Sequence, residues 1–522
     1  MLQNFFFRTG LPHVLKRLAL MGLLSLLAAL LAGCTTYDGY PTLPPEPTST
    51  PAPPVSPTAA PRPTLAAPPT STPRPSLPAV PNGVQVTKGD VLKEALNGLI
   101  STYYQPLATA DIYEVALTSI EMGLRQSGVD PQAKVQLPQF GDKDDANWNL
   151  FLQAYSLVVA KYQGKVTEDQ LETYALSGAA SSLQDCQTSY YPANVAENFL
   201  AQRSGQASII GIGINLQSGT TNNGNAHLVS RVITGGPADK AGLKLGDQIL
   251  AIDGQDLSTK TSQEVIQLLQ GTKQAGSKVS LTIHRGNSAS TQTIDITRNS
   301  FQVPPMERGT INNNIAYIRI SQLPYINSQS QLTTVTNSIA GWFSDFDKAG
   351  VTGYILDLRG NSYGSIILVQ NILSYFMSGN DLVYLDGELT GQDPENQTGP
   401  RQYGAFGMPS AQNIKATDKP VAVLVDGGTS GEAEIFAYAF QLNKRGTVIG
   451  EPTAGCANAS APFGLSDKTV LNVTLYRAIS DPQKPESILT GVQPDQAVSM
   501  DLQQLSQGTD SQLDAAIKAL TK

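Results

Sequence analysis

Histidine and cysteine are almost missing from this chain, with three of each in 522 residues. His13 lies in a leading apolar segment, while His227 and His284 lie in a β-rich stretch where each reads as an ordinary residue. A histidine-based catalytic triad is excluded. Positive charge is also short: 35 Lys and Arg against 43 Asp and Glu give a net charge of −8. A protein without a basic field does not bind nucleic acid through general electrostatics. Charged residues make up only 15% and hydrophobic residues 40%, a globular composition. On a prior of roughly 150 residues per domain the chain holds about three domains. No internal repeat is visible, and neither a metal nor another cofactor is expected.

What is present begins with a leader, residues 1–33. Arg8, Lys16 and Arg17 precede the apolar run Leu18–Leu31, which has signal-peptide length. Leu31-Ala32-Gly33-Cys34 resembles a bacterial lipobox, so Cys34 is the expected lipidation site. The competing reading is a signal anchor with a chance cysteine, and the small residues before Cys34 speak against it. Losing the leader's three cations takes the net charge from −8 to −11, which makes acyl chains rather than a basic patch the expected membrane anchor. The expected location is the bacterial cell envelope, lipid-anchored and extracytoplasmic. Residues 34–81 form a tether, because 16 of the 34 prolines lie between Pro41 and Pro81 among Thr, Ser and Ala. At ~3.1 Å per residue its stretch from Pro41 to Pro81 would reach about 130 Å, whether as a stalk or as a spacer without required length.

From 82 to 205 the pattern is helical. Asp90 is placed to cap a helix bearing Leu92, Ala95, Leu96 and Leu99, Trp148–Ala160 reads as a second helix, and Thr167 with Gln170 makes a capping box for a third. Residues 206–299 are β-rich. Within them Gly235-Gly-Pro-Ala-Asp-Lys-Ala-Gly-Leu-Lys-Leu-Gly-Asp-Gln-Ile-Leu-Ala-Ile-Asp-Gly resembles the PDZ domain, with Thr261–Leu269 as its groove helix. That resemblance implies capture of a peptide C-terminus by strand addition, with Gly211, Ile212, Gly213 and Ile214 holding the carboxylate. A PDZ fold used only for packing is the other reading. Residues 300–505 alternate strands and helices, an α/β core, and 506–522 form a C-terminal helix.

The stretch Pro420–Gly455 organises that core. Val421–Val425 is a short apolar run suited to a strand buried on both faces. Asp426-Gly427-Gly428 breaks it, Thr429 is placed to cap, and Ile435, Phe436, Tyr438, Ala439 and Phe440 continue at helical spacing. Strand, glycine turn and helix together are a way to present a nucleophile beside backbone N–H donors. The stretch resembles the carboxyl-terminal processing peptidases, or tail-specific proteases, serine peptidases with a lysine base. Their pattern runs N-G-G-S-A-S-A-S-E-I and later G-E-P-T-F-G-K-G. Gly427-Gly428, Glu434-Ile435 and Gly450-Glu451-Pro452-Thr453 set the frame. The segment from Ser182 to Pro192, the Asp357-Leu-Arg loop and Gly491-Val-Gln-Pro-Asp match too, so the resemblance spans about Ser182 to Asp495. It implies a multidomain α/β fold: a helical N-terminal region, a PDZ β-domain and a tail-specific-protease core.

The chemical positions depart from the family. Gly431 stands at the nucleophile position, Cys456 at the lysine position and Ser460 at the glutamine position. Where the family has Gly-Gly in its oxyanion loop the chain has Tyr363-Gly364, which puts a side chain against open backbone. Ser430, one residue early, is a candidate shifted nucleophile, otherwise a first-turn or capping residue. Lys444 and Lys468 are candidate bases, otherwise solvated, and Cys456 has no histidine near it in sequence to activate a thiol. With Cys34 lipidated, Cys186 and Cys456 remain, either bridged or left as two buried thiols. A bridge over some 270 residues would contribute about 4–5 kcal/mol in the chain-entropy model. Two functions follow. One is a binding or regulatory homologue without catalysis, holding protein C-termini or acting on an active protease partner. The other is an active serine endopeptidase that uses a shifted nucleophile such as Ser430.

Overall fold

The computed structural model describes residues 74–221, 224–271, 274–388, 403–411, 414–484 and 486–521. The leader, Cys34 and the tether as far as residue 73 lie outside the described residues. The end of the tether is not the free chain that the sequence implies: Arg74 pairs with Glu114 at 2.7 Å and Leu77 packs on the helical core. The folded body therefore starts before Asn82.

Four helices open it: α1 (Gly89–Thr102), α2 (Thr109–Gln126), α3 (Asp144–Tyr162) and α4 (Glu168–Ser182). Leu92, Ala95, Leu96 and Leu99 are buried along one stripe of α1. Asp90 does not cap it; α1 begins a residue earlier, with Lys88 at its N-cap, and Asp90 falls in the first turn. The Lys88 ammonium is held by Asp169, Glu172 and Asp467 at 2.6–2.9 Å. The Thr167–Gln170 capping box forms as the sequence dictates. The helix α2, with Ile112, Ala116, Leu117, Ile120 and Leu124 buried, is one the sequence reading missed. The short strand β1 (Ser189–Tyr191) and α5 (Ala193–Arg203) complete the region.

The PDZ domain contains β2 (Ser208–Gly211), β3 (Ile214–Thr221), β4 (Gly224–Val232), α6 (Pro237–Lys240), β5 (Gln248–Ile252), β6 (Gln255–Asp256), α7 (Ser262–Gln270), β7 (Lys278–His284), β8 (Thr291–Thr297) and β9 (Asn299–Gln302). Its sheet runs β3-β4-β5-β7-β8, with β6 on β5, so β3 is an edge strand. Thr261 and Glu264 form the capping box that starts α7. A separate antiparallel pair, β2 with β9, brings the two ends of the domain together.

The remaining elements build the core: β10 (Met306–Ile311), β11 (Ile315–Ile320), α8 (Gln329–Lys348), β12 (Gly353–Asp357), α9 (Ile366–Leu373), β13 (Tyr384–Glu388), β14 (Tyr403–Gly407), β15 (Val421–Val425), α10 (Glu432–Leu442), β16 (Thr447–Gly450), β17 (Asn458–Gly464), β18 (Val470–Ile479), β19 (Gln496–Ala497), α11 (Leu502–Ser506) and α12 (Ser511–Leu520). Within 506–522 the expected C-terminal helix is α12, capped by Asp510; the short α11, capped by Asp501, precedes it. The main sheet has the order β10-β11-β12-β15-β16-β19; its neighbours pair in parallel except the β10–β11 hairpin. Every residue of β12 and β15 is buried, since both faces are covered. Phe343, Phe376 and Phe436 are in the cluster on one side, and Ala515 and Ala516 of α12 in that on the other. A second, antiparallel sheet runs β1-β18-β13-β14, with β17 on β18. Through β1, paired Ser189 to Asn472, the helical region delivers residues 185–188 to the core.

Candidate active site

The site lies where the parallel strands β12 and β15 end, the edge at which open α/β sheets place their ligands. Asp426 closes β15 and joins the two loops: its Oδ1 accepts the N–H of Gly428 at 3.0 Å and of Gly360 at 2.8 Å. Beneath them Asp357, wholly buried, bonds Arg319, Arg359 and Tyr317 at 2.7 Å. Burial pushes its carboxyl up, but Arg359 and Arg319 outweigh that and hold it well below the usual carboxylate range.

Thr429 does not cap α10, contrary to the sequence expectation. It falls two residues too early, and its buried hydroxyl instead joins the two loops, accepting from Asp426 N at 3.0 Å and donating to Leu358 O at 3.1 Å. The N-cap is Gly431. Its backbone, φ +63° and ψ −132°, has the angles of the first central residue of a II′ turn, which glycine adopts without strain. The turn that would project a nucleophile is thus kept without a side chain. A Cβ built on Gly431 would overlap the side-chain nitrogen of Gln187. Gln187 is 6% exposed, and neither atom of its amide has a hydrogen-bond partner among the described residues.

Cys456, at the lysine position, is 7% exposed and bonded through sulfur to Cys186, with their Cα atoms 6.0 Å apart. Its carbonyl accepts the Gly431 N–H at 2.9 Å. Glu434 binds this loop to the helix start: it accepts Cys456 N at 2.7 Å, Gly455 N at 2.8 Å, Gly431 N at 3.2 Å and the Thr453 hydroxyl. Burial pushes the Glu434 carboxyl up, and these donors pull it partly back.

Glu432 is the unexpected member. It stands where the family pattern has alanine, directly after the nucleophile position, and is fully buried. Its Oε1 accepts Ser460 N at 2.9 Å and lies 3.8 Å from the guanidinium of Arg203, while Oε2 has no hydrogen-bond partner among the described residues. Burial pushes this carboxyl up; Arg203 and the N–H groups of Ser460, Glu432 and Gly364 lower it. Ser460, at the glutamine position, gives its carbonyl and hydroxyl to Arg203 Nη2, at 2.9 and 3.3 Å. The sequence points to Tyr363 as the group that obstructs the oxyanion loop, and the structure corrects this. Tyr363 is 37% exposed and lies over the Arg203 guanidinium, 5.3 Å to the ring centre. The group against Gly364 is Glu432, whose Cβ lies within 2.6 Å of where a Cβ on Gly364 would be.

Ser430 has no base. Its N–H donates to Asn361 O at 2.8 Å, but its hydroxyl makes no hydrogen bond among the described residues. Lys444 and Lys468 are exposed turn residues with positive φ. His227 is held by Ser218 at 2.8 Å and Lys260 O at 3.1 Å, and His284 by Ser288 O at 2.8 Å, all within the PDZ domain. No group of His, Cys, Asp and Glu among the described residues could hold a metal ion. Gln187, Arg203 and Glu432 were missed by the sequence reading; only Glu432 left a signal, a charge where the family pattern has alanine.

In the PDZ domain the carbonyls of Ile212 and Gly213 accept Ala238 N at 2.7 Å and Ile233 N at 2.9 Å, while no hydrogen bond from either of their N–H groups is seen among the described residues. Gly211 ends β2 and Ile214 opens the edge strand β3. Ile209, Ile210 and, on α7, Ile266 are exposed.

Residues 314–498 match peptidase family S41, and residues 202–284 match the PDZ domain. The carboxyl-terminal-processing protease of Synechocystis is 28% identical over 393 residues, covering 72% of this chain and 85% of that one. The carboxy-terminal processing protease CtpA of Bacillus subtilis is 28% identical over 333 residues, covering 64% and 65%. A solved photosystem II D1 C-terminal processing protease, 22% identical, covers 82% of this chain and 99% of its own, with a TM-score of 0.42. The chain thus carries an S41 peptidase core and a PDZ domain, and over them it is similar to the carboxyl-terminal processing proteases.

Proposed function

We propose that this protein is a catalytically silent member of its family: a lipid-anchored, extracytoplasmic protein that recognises polypeptide C-termini through its PDZ domain and does not cut them. The observation that carries the reading is the state of Gly431. The turn that would expose a serine holds no side chain, and the Gln187 amide takes the space. The other two requirements of the chemistry are also unmet. A desolvated lysine must accept the nucleophile's proton, and the position holds a half-cystine, which accepts none. Backbone N–H donors must be free for the oxyanion, and at Gly364 and Ser460 they face a carboxylate of the protein itself. An acidic side chain built into that place takes up the N–H donors that the oxyanion would need.

Binding has its own support. The relatives are named for processing carboxyl termini, and the PDZ domain keeps what such recognition uses. These are an edge strand, two N–H groups in the glycine loop without an acceptor, and exposed isoleucines on β2 and α7 beside it. The lipobox at Leu31–Cys34 supports attachment to an outer membrane face. There the protein holds apolar tails, or presents them to an active protease. The test is proteolysis: the purified soluble part, given an unfolded substrate with an apolar tail, degrades it no faster than its Ser430→Ala variant.

A further inference from the structure

The loop carrying Cys186 also carries the group that fills the vacated site, because Gln187 is the next residue. The Gln187 amide is buried with neither its nitrogen nor its oxygen hydrogen-bonded among the described residues, an unfavourable state for a group that would be fully bonded in water. Its own bonds therefore do not keep it there. The backbone around it does. Asp185 accepts the N–H groups of Gln187 and Thr188 at 2.8 and 2.6 Å, and Asn472 donates to the Gln187 carbonyl at 2.7 Å. The covalent restraint is the bond from Cys186 to Cys456. The two residues differ in exposure: Cys186 is exposed, with its Sγ 3.6 Å from Asn458 Nδ2, and Cys456 is buried, so a thiol from solvent approaches from the Cys186 side. The Cys456 loop in turn bears on Gly431, whose N–H donates to the Cys456 carbonyl at 2.9 Å.

We propose that the Cys186–Cys456 bond is a thiol–disulfide exchange site for a dithiol reductant, and that opening it lets the Gln187 amide leave the space beside Gly431. A thiolate of the dithiol attacks Cys186 Sγ. The bond to Cys456 breaks, and Cys456 leaves as a thiolate that takes a proton from water. The second thiol of the reductant, as its thiolate, then attacks the mixed disulfide and releases Cys186, which is protonated in the same way. The protein gains two thiols and the dithiol becomes a disulfide, two electrons moving from one to the other. The inference rests on the silent reading of the site. It adds that the cavity left by the missing nucleophile is closed in the oxidised protein and open in the reduced one, where it can take a side chain of a bound tail.

The experiment uses the full soluble part and dithiothreitol, with alkylation and mass spectrometry to show when the bond is reduced. Amide hydrogen exchange is followed in peptides covering 430–434 and 454–458, with 421–425 of the buried strand β15 as reference. Reduction is expected to speed exchange in the first two about tenfold or more and leave the third unchanged. A Cys186→Ser/Cys456→Ser variant should exchange at the fast rate with or without dithiothreitol. Three results would overturn the proposal: a bond that resists dithiothreitol in the folded protein, a reduced bond with unchanged exchange at 430–434, or faster exchange everywhere including 421–425. Because the readout is exchange, cleavage of substrate by this protein would defeat the silent reading without deciding the latch.

Discussion

The side-chain nitrogen of Gln187 lies where a Cβ on Gly431 would stand. Putting back a nucleophile is therefore not a matter of one side chain. Gly431→Ser would meet both a positive φ, costing about 1–3 kcal/mol for a residue with a side chain, and an overlap of the kind that costs about 1–3 kcal/mol in a packed interior. The variant is expected to lose about 2–6 kcal/mol of stability, and Gly431→Ser with Gln187→Ala to regain part of it. Denaturant titration of the two variants and the wild type checks this. Equal stability of Gly431→Ser and the wild type would show that the Gln187 amide does not hold that space.

Glu432 gives a pH dependence whose sign is fixed. Burial raises its folded-state pKa, so the folded protein holds this proton more tightly than the unfolded chain does. Its contribution to stability is complete below the unfolded value of about 4.3 and is lost as pH rises through the raised folded value. Glu432→Gln cannot titrate, so the difference between the two proteins isolates this group. Thermal melts from about pH 4 to pH 7 should show the wild type falling relative to Glu432→Gln. A constant difference, or a wild type that gains, would mean that Arg203 and the N–H groups outweigh burial.

How far these features could be read in advance depends on the range of the contacts behind them. The capping boxes at Thr167 and Thr261 are made by residues three apart, and both were legible. So were the apolar run Val421–Val425 and the glycine turn after it. The frame of the site was legible for the same reason, since Gly431, Cys456 and Ser460 are placed by short motifs around them. Arg203 was not: it acts on Ser460 from 257 positions away. Gln187 was invisible because its role comes from the β1–β18 pairing and from a bond joining residues 270 apart. Tyr363 was misread because sequence gives the presence of a side chain and not its direction.

Recognition through the PDZ domain predicts a dependence on the peptide's free terminus. The soluble part should bind a peptide ending in an apolar residue with a free carboxylate, and amidating that terminus should weaken binding about tenfold or more. One charge-assisted bond to the glycine loop is worth about 1.5–3 kcal/mol. Calorimetric titration of the two peptides measures it; equal affinities would assign the domain to packing.

Attachment is tested at Cys34, which lies outside the described residues. Cys34→Ser is expected to block lipid labelling and to move the protein out of the membrane fraction. Membrane association that persists in the variant, with no label on the wild type, would point to a signal anchor.

The central claim is that no nucleophile operates at the end of β15. Its most direct measurement is the rate at which the purified soluble part cleaves an unfolded, apolar-tailed protein, set beside the same rate for Ser430→Ala. The missing nucleophile, the missing base and the occupied oxyanion donors are parts of one unit, and each such loss typically costs orders of magnitude. The account predicts two equal rates at the background of the assay. Robust cleavage by the wild type that vanishes in Ser430→Ala would contradict it and place the nucleophile one residue before Gly431.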